Sequence, residues 1–303
     1  MTLVVQLLVL MLFPPLLLGI INRTKAFFGG RQGPPLIQPY YELWRLFHKG
    51  TVQSTVTTWL FRAGPVVALV TSSFAAMLIP LAQHDVAVSF PGDIVFFVYL
   101  LALGRFALVL SSLDTGSAFE GMGVAREVTF ACLAEPAMFL GLLALVKVSG
   151  SLQMVDLLTG AHAATWTVNG APLLLIITSW FLLMLADSCR IPFDDPNTHL
   201  ELTMVHEVII LDHSGPMLAL LHLAAAQKLF VSAALLVRLA MPNDLGSVWT
   251  DGFVFLASMM FVAVLVGIVE SVLARLRMVL VPHVLTAAGV AAAFGLILQV
   301  TLP

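Results

Sequence analysis

Long apolar runs, repeated along the chain, limit this sequence more than any other feature. A helix needs about 20 mostly apolar residues to cross the hydrocarbon core of a bilayer. Eight stretches qualify: Leu3–Ile21, Ala63–Ala82, Ile94–Leu113, Val128–Val146, Pro172–Asp187, Gly215–Ala240, Phe253–Val269 and Val279–Thr301. The fifth is the shortest. Composition agrees, since 60% of the 303 residues are hydrophobic and 10% are charged, against roughly 25% charged in soluble domains. Mean hydropathy is +1.01. The expected fold is all-α and polytopic: one transmembrane domain over residues 1–303, with about eight helices. No positive charge precedes the first run, so it reads as a span and not as a cleaved signal peptide.

Lysine and arginine set the orientation. With the N-terminus outside, four cytoplasmic loops hold Arg23, Lys25, Arg31, Arg45, Lys49, Arg62, Arg126, Arg190, Arg275 and Arg277, ten of the 14 cations. The outer loops carry Asp85, Asp93, Asp156, Asp244 and Asp251 instead. Lys147 and Arg238 fall at helix ends, and Arg105 and Lys228 fall inside spans. Two loops on the cytoplasmic side are long, 22–62 and 188–214. The net charge of -3 and the lack of a basic patch argue against nucleic acid as a partner; the partner is the lipid bilayer.

The first long loop contains Arg31-Gln32-Gly33-Pro34-Pro35, then a segment in which Tyr40, Leu43, Trp44 and Phe47 recur at i, i+3, i+4 and i+7. That spacing describes an amphipathic helix lying at the interface. It serves either as a surface anchor or as a docking platform. On the second reading Arg31, Gln32, Gly33, Pro34, Gln38, Tyr40, Tyr41, Trp44 and Arg45 form the platform, joined from the second loop by Pro192 and Phe193.

Ionisable residues inside a span cost several kcal/mol and mark pathways or counter-ions. Asp114, Glu120, Glu127 and Glu135 cluster in and around the fourth span. On one helix from 117 to 146, Glu120, Glu127 and Glu135 share an arc of roughly 80°, with Arg126 off that face. This makes a candidate proton wire, the alternative being Glu120 and Glu127 paired with Arg126 at the interface. Arg105, Lys228 and His222 are the available partners. The second loop adds Asp187, Arg190, Asp194, Asp195, His199, Glu201, His206, Glu207, Asp212 and His213, a mixture able to pass protons. Ile210, four residues after His206, breaks the zincin spacing, so no metal site is expected. Cys132 and Cys189 are too few for an iron–sulfur or zinc site, which takes about four ligands. No redox cofactor is expected on this chain.

The two loops and the fourth span together resemble the membrane-anchor subunit shared by complex I and the membrane-bound nickel–iron hydrogenases, the NADH dehydrogenase subunit 1 family. Ala186-Asp-Ser-Cys-Arg-Ile-Pro-Phe-Asp-Asp-Pro196 is similar to that family's Ala-Glu-Thr-Asn-Arg-Ala-Pro-Phe-Asp-Leu-Pro. Glu201, Leu202 and His206 extend the likeness. Arg126 and Glu135 match an arginine followed nine residues later by a glutamate, and Arg31–Phe47 matches the turn and aromatic helix. Asp114 to Glu120, with Arg126-Glu127 and Glu135-Pro136, looks most like the formate hydrogenlyase or hydrogenase-4 type of membrane subunit. The resemblance implies a small iron–sulfur subunit and a hydrogenase-like large subunit on the cytoplasmic side. Their iron–sulfur clusters, with or without nickel–iron, would be the complex's cofactors. Antiporter-like membrane subunits would lie alongside, in a bacterial or archaeal inner membrane. Asn197-Thr198-His199 replaces the complex I acid-rich run, which leaves the electron acceptor open between protons, a quinone and another species. A stand-alone secondary transporter is the third reading, and no inverted repeat supports it.

Overall fold

A computed structural model of the chain describes residues 3–81, 86, 88–159, 163–194, 204–241 and 247–301. Asp85, Asp195, His199, Glu201 and Asp244 lie outside the described residues. The helices are α1 Leu3–Phe28, α2 Gln38–Phe47, α3 Trp59–Met77, α4 Asp93–Leu113, α5 Ala118–Ser149, α6 Met154–Thr159, α7 Ala163–Asp187, α8 His206–Ile209, α9 Gly215–Ala240, α10 Val248–Val272 and α11 Val281–Thr301. The eight long ones, α1, α3, α4, α5, α7, α9, α10 and α11, are apolar enough to cross a membrane. The chain is a multi-pass, all-α membrane protein, with no strand among the described residues.

Several helices outrun their hydropathy boundaries, because polar residues near a span's end remain helical when protein packs around them. α1 runs on to Phe28 and carries Arg23 and Lys25 as helical residues, and α5 starts ten residues before Val128. The short fifth run is the C-terminal part of α7, which begins at Ala163 and kinks at Asn169 (φ -112°, ψ 23°), three residues before Pro172. A proline ring disfavours helical geometry upstream of it, so a kink there follows from sequence.

α9 is the hub, packed against α1, α3, α7 and α10. Of its most apolar window 67% is buried, against 22% for α4. Ala219, Ala224, Ala226, Ala233 and Ala234 lie within that buried surface, and small side chains let helix backbones approach where no hydrophobic effect drives them together. α3 and α4 use the same device with glycine. A Cβ on Gly64 would meet Ser111, and one on Gly104 would meet Thr71.

The two long loops meet at one end of the bundle. Ser214 Oγ accepts from Val52 N (2.9 Å) and donates to Val52 O (3.0 Å). Gly215, at φ +56°, passes so close to Gly50 that a Cβ would lie 2.7 Å from the Gly50 carbonyl oxygen. Leu276 N bonds Pro192 O at 2.8 Å, tying the second loop to the α10–α11 connection.

Candidate functional site: a charge cluster within the helix bundle

α7 ends in a left-handed turn that places Asp187. Arg190 N reaches back to Leu185 O (2.9 Å) and Cys189 N to Ala186 O (3.1 Å), with Cys189 at φ 49°. These two bonds are the Schellman pattern. Asp187 is therefore the last helical residue, at the negative end of the helix dipole, where nearby cations are favoured.

Two cations answer it from neighbouring helices. Arg105 of α4 places Nη2 2.7 Å from Asp187 Oδ1, and Lys228 of α9 places Nζ 2.8 Å from the same oxygen. Arg105 also pairs with Glu135 through Nη1 and lies 3.4 Å from Glu127 through Nε. Lys228 Nζ is 3.8 Å from Glu127. Four helices thus contribute three carboxylates and two cations to one network. Fully ionised, it carries one more negative than positive charge, so a single bound proton brings it to neutrality. In a low-dielectric bundle that is the cheapest charge to add.

Two cavities open at this network, and a third adjoins the first of them. One of about 80 Å³ touches Arg105, Glu127, Asp187, Lys228 and His206. A second, of about 50 Å³, touches Arg105, Glu135, Asp187 and Trp180. The third, about 140 Å³, holds Arg190, Asp194, His206, Glu207 and His222 and lies toward the second loop. A water needs roughly 10–15 Å³ of such space and two to four polar partners, so each cavity accommodates several waters.

A second group of ion pairs holds the loop end. Asp194 pairs with Arg275 (3.0 Å) and accepts from Val205 N (2.8 Å). Glu270 of α10 lies 2.8 Å from Lys25 and 3.3 Å from Arg190. Arg126 donates to Met204 O at 3.0 Å. Burial pushes the Cys189 thiol well above its usual range, with Glu127 and Asp194 acting in the same direction. His213 stacks on Phe61 at 4.0 Å, and its Nε2 lies 3.2 Å from Ser111 Oγ. Burial lowers its pKa.

The candidates do not all gather. Glu120 is fully buried, but its carboxylate accepts from Thr115 Oγ1 and from Asp212 N at 3.1 Å. It is about 22 Å along α5 from Glu135 at ~1.5 Å per residue, so sharing a helix face does not place it in the same network. Asp114 accepts from Thr58 N (2.6 Å), Thr58 Oγ1 (2.8 Å) and Phe61 N (3.3 Å), which caps the start of α3 and satisfies otherwise orphaned donors. Glu127 takes its described ion pairs from Arg105 and Lys228.

α2 forms where the spacing placed it, with part of its apolar stripe against the bundle and its aromatics outside it. Pro39 and Leu46 are buried, whereas Tyr41, Phe47 and Trp44 are exposed, Trp44 at 69%. The inner stripe is Pro39, Leu43 and Leu46, against α9 and α1. Tyr40 sits at its edge and donates to Leu12 O. Arg31, Gln32, Pro34 and Arg45 are exposed, Gly33 and Gln38 half-buried, and Phe193 buried. Arg23 donates to Gly33 O at 3.0 Å, fastening the glycine–proline turn to α1. Pro192 follows a cis peptide bond.

Sequence reasoning missed Glu270, which its seventh span stopped one residue short of, and Gln227. The Gln227 amide oxygen accepts from Ser72 (2.8 Å) and Ser73 (2.9 Å), and its amide nitrogen donates to Leu10 O (3.3 Å). An amide in mid-span beside Lys228 was the available signal. Among the described residues no three His, Cys, Asp or Glu side chains group as metal ligands.

The family described as NADH dehydrogenase matches residues 1–301, almost the entire chain. The chain belongs to this family. Hydrogenase-4 component C of Escherichia coli K12 is 33% identical to this family member over 92% of the chain and 89% of its own length. Formate hydrogenlyase subunit 4 of the same organism is 28% identical, covering 96% and 95%. An NADH-quinone oxidoreductase subunit of Rubrobacter xylanophilus is 26% identical, covering 70% and 66%. The fold is shared with a chain in the structure of the membrane-bound sulfane sulfur reductase, an archaeal respiratory membrane complex, at TM-score 0.81, 18% identity and coverage of 98% and 97%.

Proposed function

We propose that this NADH dehydrogenase family member is the membrane subunit of a complex I-like or hydrogenase-type oxidoreductase, coupling electron transfer in docked subunits to movement of protons, or of sodium, through the membrane. The observation that carries the reading is the network of Arg105, Lys228, Glu127, Glu135 and Asp187 joining two cavities large enough for water inside an apolar bundle. Placing five half-buried ionisable groups inside an apolar bundle is costly unless the charges work. With one proton missing from neutrality, the network can take up and release that proton as neighbouring charges change.

The N-terminus is placed outside and the two joined loops face the cytoplasm, following the lysine and arginine bias. There a small iron–sulfur subunit and a hydrogenase-like large subunit dock, carrying the iron–sulfur clusters, and antiporter-like membrane subunits stand alongside. Asp194, Arg190, Glu207 and His206 connect the docking end to the network, and Asp195 and Glu201 extend that acidic run. The relatives' names support this assignment: hydrogenase-4, formate hydrogenlyase and NADH-quinone oxidoreductase components. A quinone-linked complex is the second reading, favoured by the last of these. The cavities at the network, about 50, 80 and 140 Å³, fall below the ~300–1,000 Å³ typical of small-molecule sites. They suit waters and ions, so a quinone would bind elsewhere.

The test is Glu135→Gln in the whole complex, reconstituted in liposomes. Assembly is retained and the number of ions moved per electron falls. Unchanged ion movement with an assembled complex refutes the coupling role.

A further inference from the structure

The 140 Å³ cavity at the second loop and the 80 Å³ cavity at the charge network adjoin each other. Three residues line both: Ser188, His206 and Ala225. Ala225 carries no exchangeable proton. The Ser188 hydroxyl is already donated to Met184 O, one turn back on α7, so relaying a proton would require breaking that bond. His206 is different. It opens the short helix α8, and its Nε2 is buried without a hydrogen-bond partner. A titratable ring that lines both cavities and has a ring nitrogen no protein group engages can meet water in either by turning about its side-chain bonds.

The charges on the two sides differ. Toward the loop stand Arg190 and Asp194, with Glu207 on α8 itself and His222 on α9. Toward the interior stand Asp187, Lys228, Glu127 and Arg105, with Glu135 beyond Arg105. Fully ionised, the inner network is net negative and attracts an imidazolium. Once one of its carboxylates is protonated that attraction is gone. Each proton delivered therefore weakens the pull for the next, which makes the junction responsive to the state of the network.

We infer that His206 is the proton valve of this subunit: its imidazole accepts a proton from water in the loop-side cavity at one ring nitrogen and releases a proton from the other to water beside Asp187 and Glu127. Each passage is neutral overall, with one proton taken up, one given off and no electron moved. The inference rests on the coupling reading above and adds to it a single controlling residue. His206 acts through water on the network and is a relay; it touches no electron carrier.

The test uses the intact complex in liposomes, with reduced methyl viologen as electron donor and a pH-sensitive dye inside the vesicles. His206→Ala removes the ring and leaves space for added imidazole; His206→Gln keeps a polar side chain of similar size but cannot titrate, and carries the comparison if the alanine variant fails to assemble. Glu135→Gln is measured in parallel. Proton movement in both His206 variants is expected to fall on the order of tenfold or more, less than the ~10²–10⁴-fold contribution of a positioned proton-transfer group, because water partly substitutes. Added imidazole restores His206→Ala but not His206→Gln. If Glu135→Gln abolishes proton movement while the His206 variants match the parent, the valve is refuted and the coupling reading stands. If all three match the parent, the coupling reading itself fails. A His206→Ala defect that imidazole leaves untouched makes the residue structural and also refutes the valve.

Discussion

At the residue scale, the tightest sharing of charge is at Asp187, whose Oδ1 lies 2.7 Å from Arg105 and 2.8 Å from Lys228. Removing one member of a half-buried ionic group leaves the others uncompensated, at a cost below the ~3–5 kcal/mol of a fully buried pair, whereas removing both partners costs less. Asp187→Asn is therefore expected to lower the thermal midpoint of the purified chain in detergent strongly. Lys228→Met in the same background recovers part of the loss, with an interaction energy of about 1–3 kcal/mol across the cycle. Additive losses would mean that Asp187 and Lys228 do not act as one unit. Asp114 gives the contrast: a carboxylate that reads as part of a pathway in sequence spends its oxygens on Thr58 and Phe61 at the head of α3. Residue type and spacing identify a carboxylate near a membrane, and only its partners tell a helix cap from a proton carrier.

At the scale of elements, the closest approaches use glycine and alanine. Gly104 stands against Thr71 across the α3–α4 contact, and Gly64 against Ser111. Gly104→Val places methyl groups on Thr71 and forces the two helices apart. A loss of about 1–3 kcal/mol follows, seen as a lower denaturation midpoint with the helix content kept. Because Gly104 also lines the cavity beside Arg105, the same change should disturb ion movement; a full-strength, fully stable variant would show the α3–α4 approach to be unimportant. The elements themselves were legible from hydropathy, and the eight spans appear as eight long helices. Not all of their ends were. The helix taken from 117 to 146 for the carboxylates matches α5, whereas Lys25 lies within α1 beyond its apolar run, because protein contacts replace water for polar residues that a hydropathy window rejects. α2 was legible from its periodicity, yet its inner face turned toward Pro39, Leu43 and Leu46. Alternation along a helix fixes which residues share a face; which face the bundle takes depends on the shape of α9 and α1.

At the scale of the whole molecule, two loops distant in sequence form one surface. Ser214 bonds both backbone groups of Val52 across more than 160 residues, and the aromatic face of α2 stands beside that seam. Trp44, Phe47 and Tyr41 remain exposed there. An exposed aromatic patch rimmed by polar groups marks an interaction site. Trp44→Ala is expected to leave membrane insertion and helix content intact while reducing, by about tenfold or more, the soluble subunits that co-purify with the chain. Equal co-purification would reassign α2 to anchoring in the lipid interface.

Sequence by itself determined the solvent and the number of spans. Apolar length has one physical explanation at this scale, and charges placed inside it have few. Sequence also singled out Arg105, Lys228, Glu127, Glu135 and Asp187, within a longer list of candidates. It did not decide who pairs with whom, because those residues lie on α4, α5, α7 and α9, and helix-to-helix contact is set by shape complementarity among small side chains far apart in the chain. Tertiary packing alone separated Glu120 and Asp114 from the network and brought Glu270 to Lys25 and Arg190. It also placed His206 between two cavities. A cavity is made by what surrounding helices leave unfilled, and no single stretch of sequence encodes it.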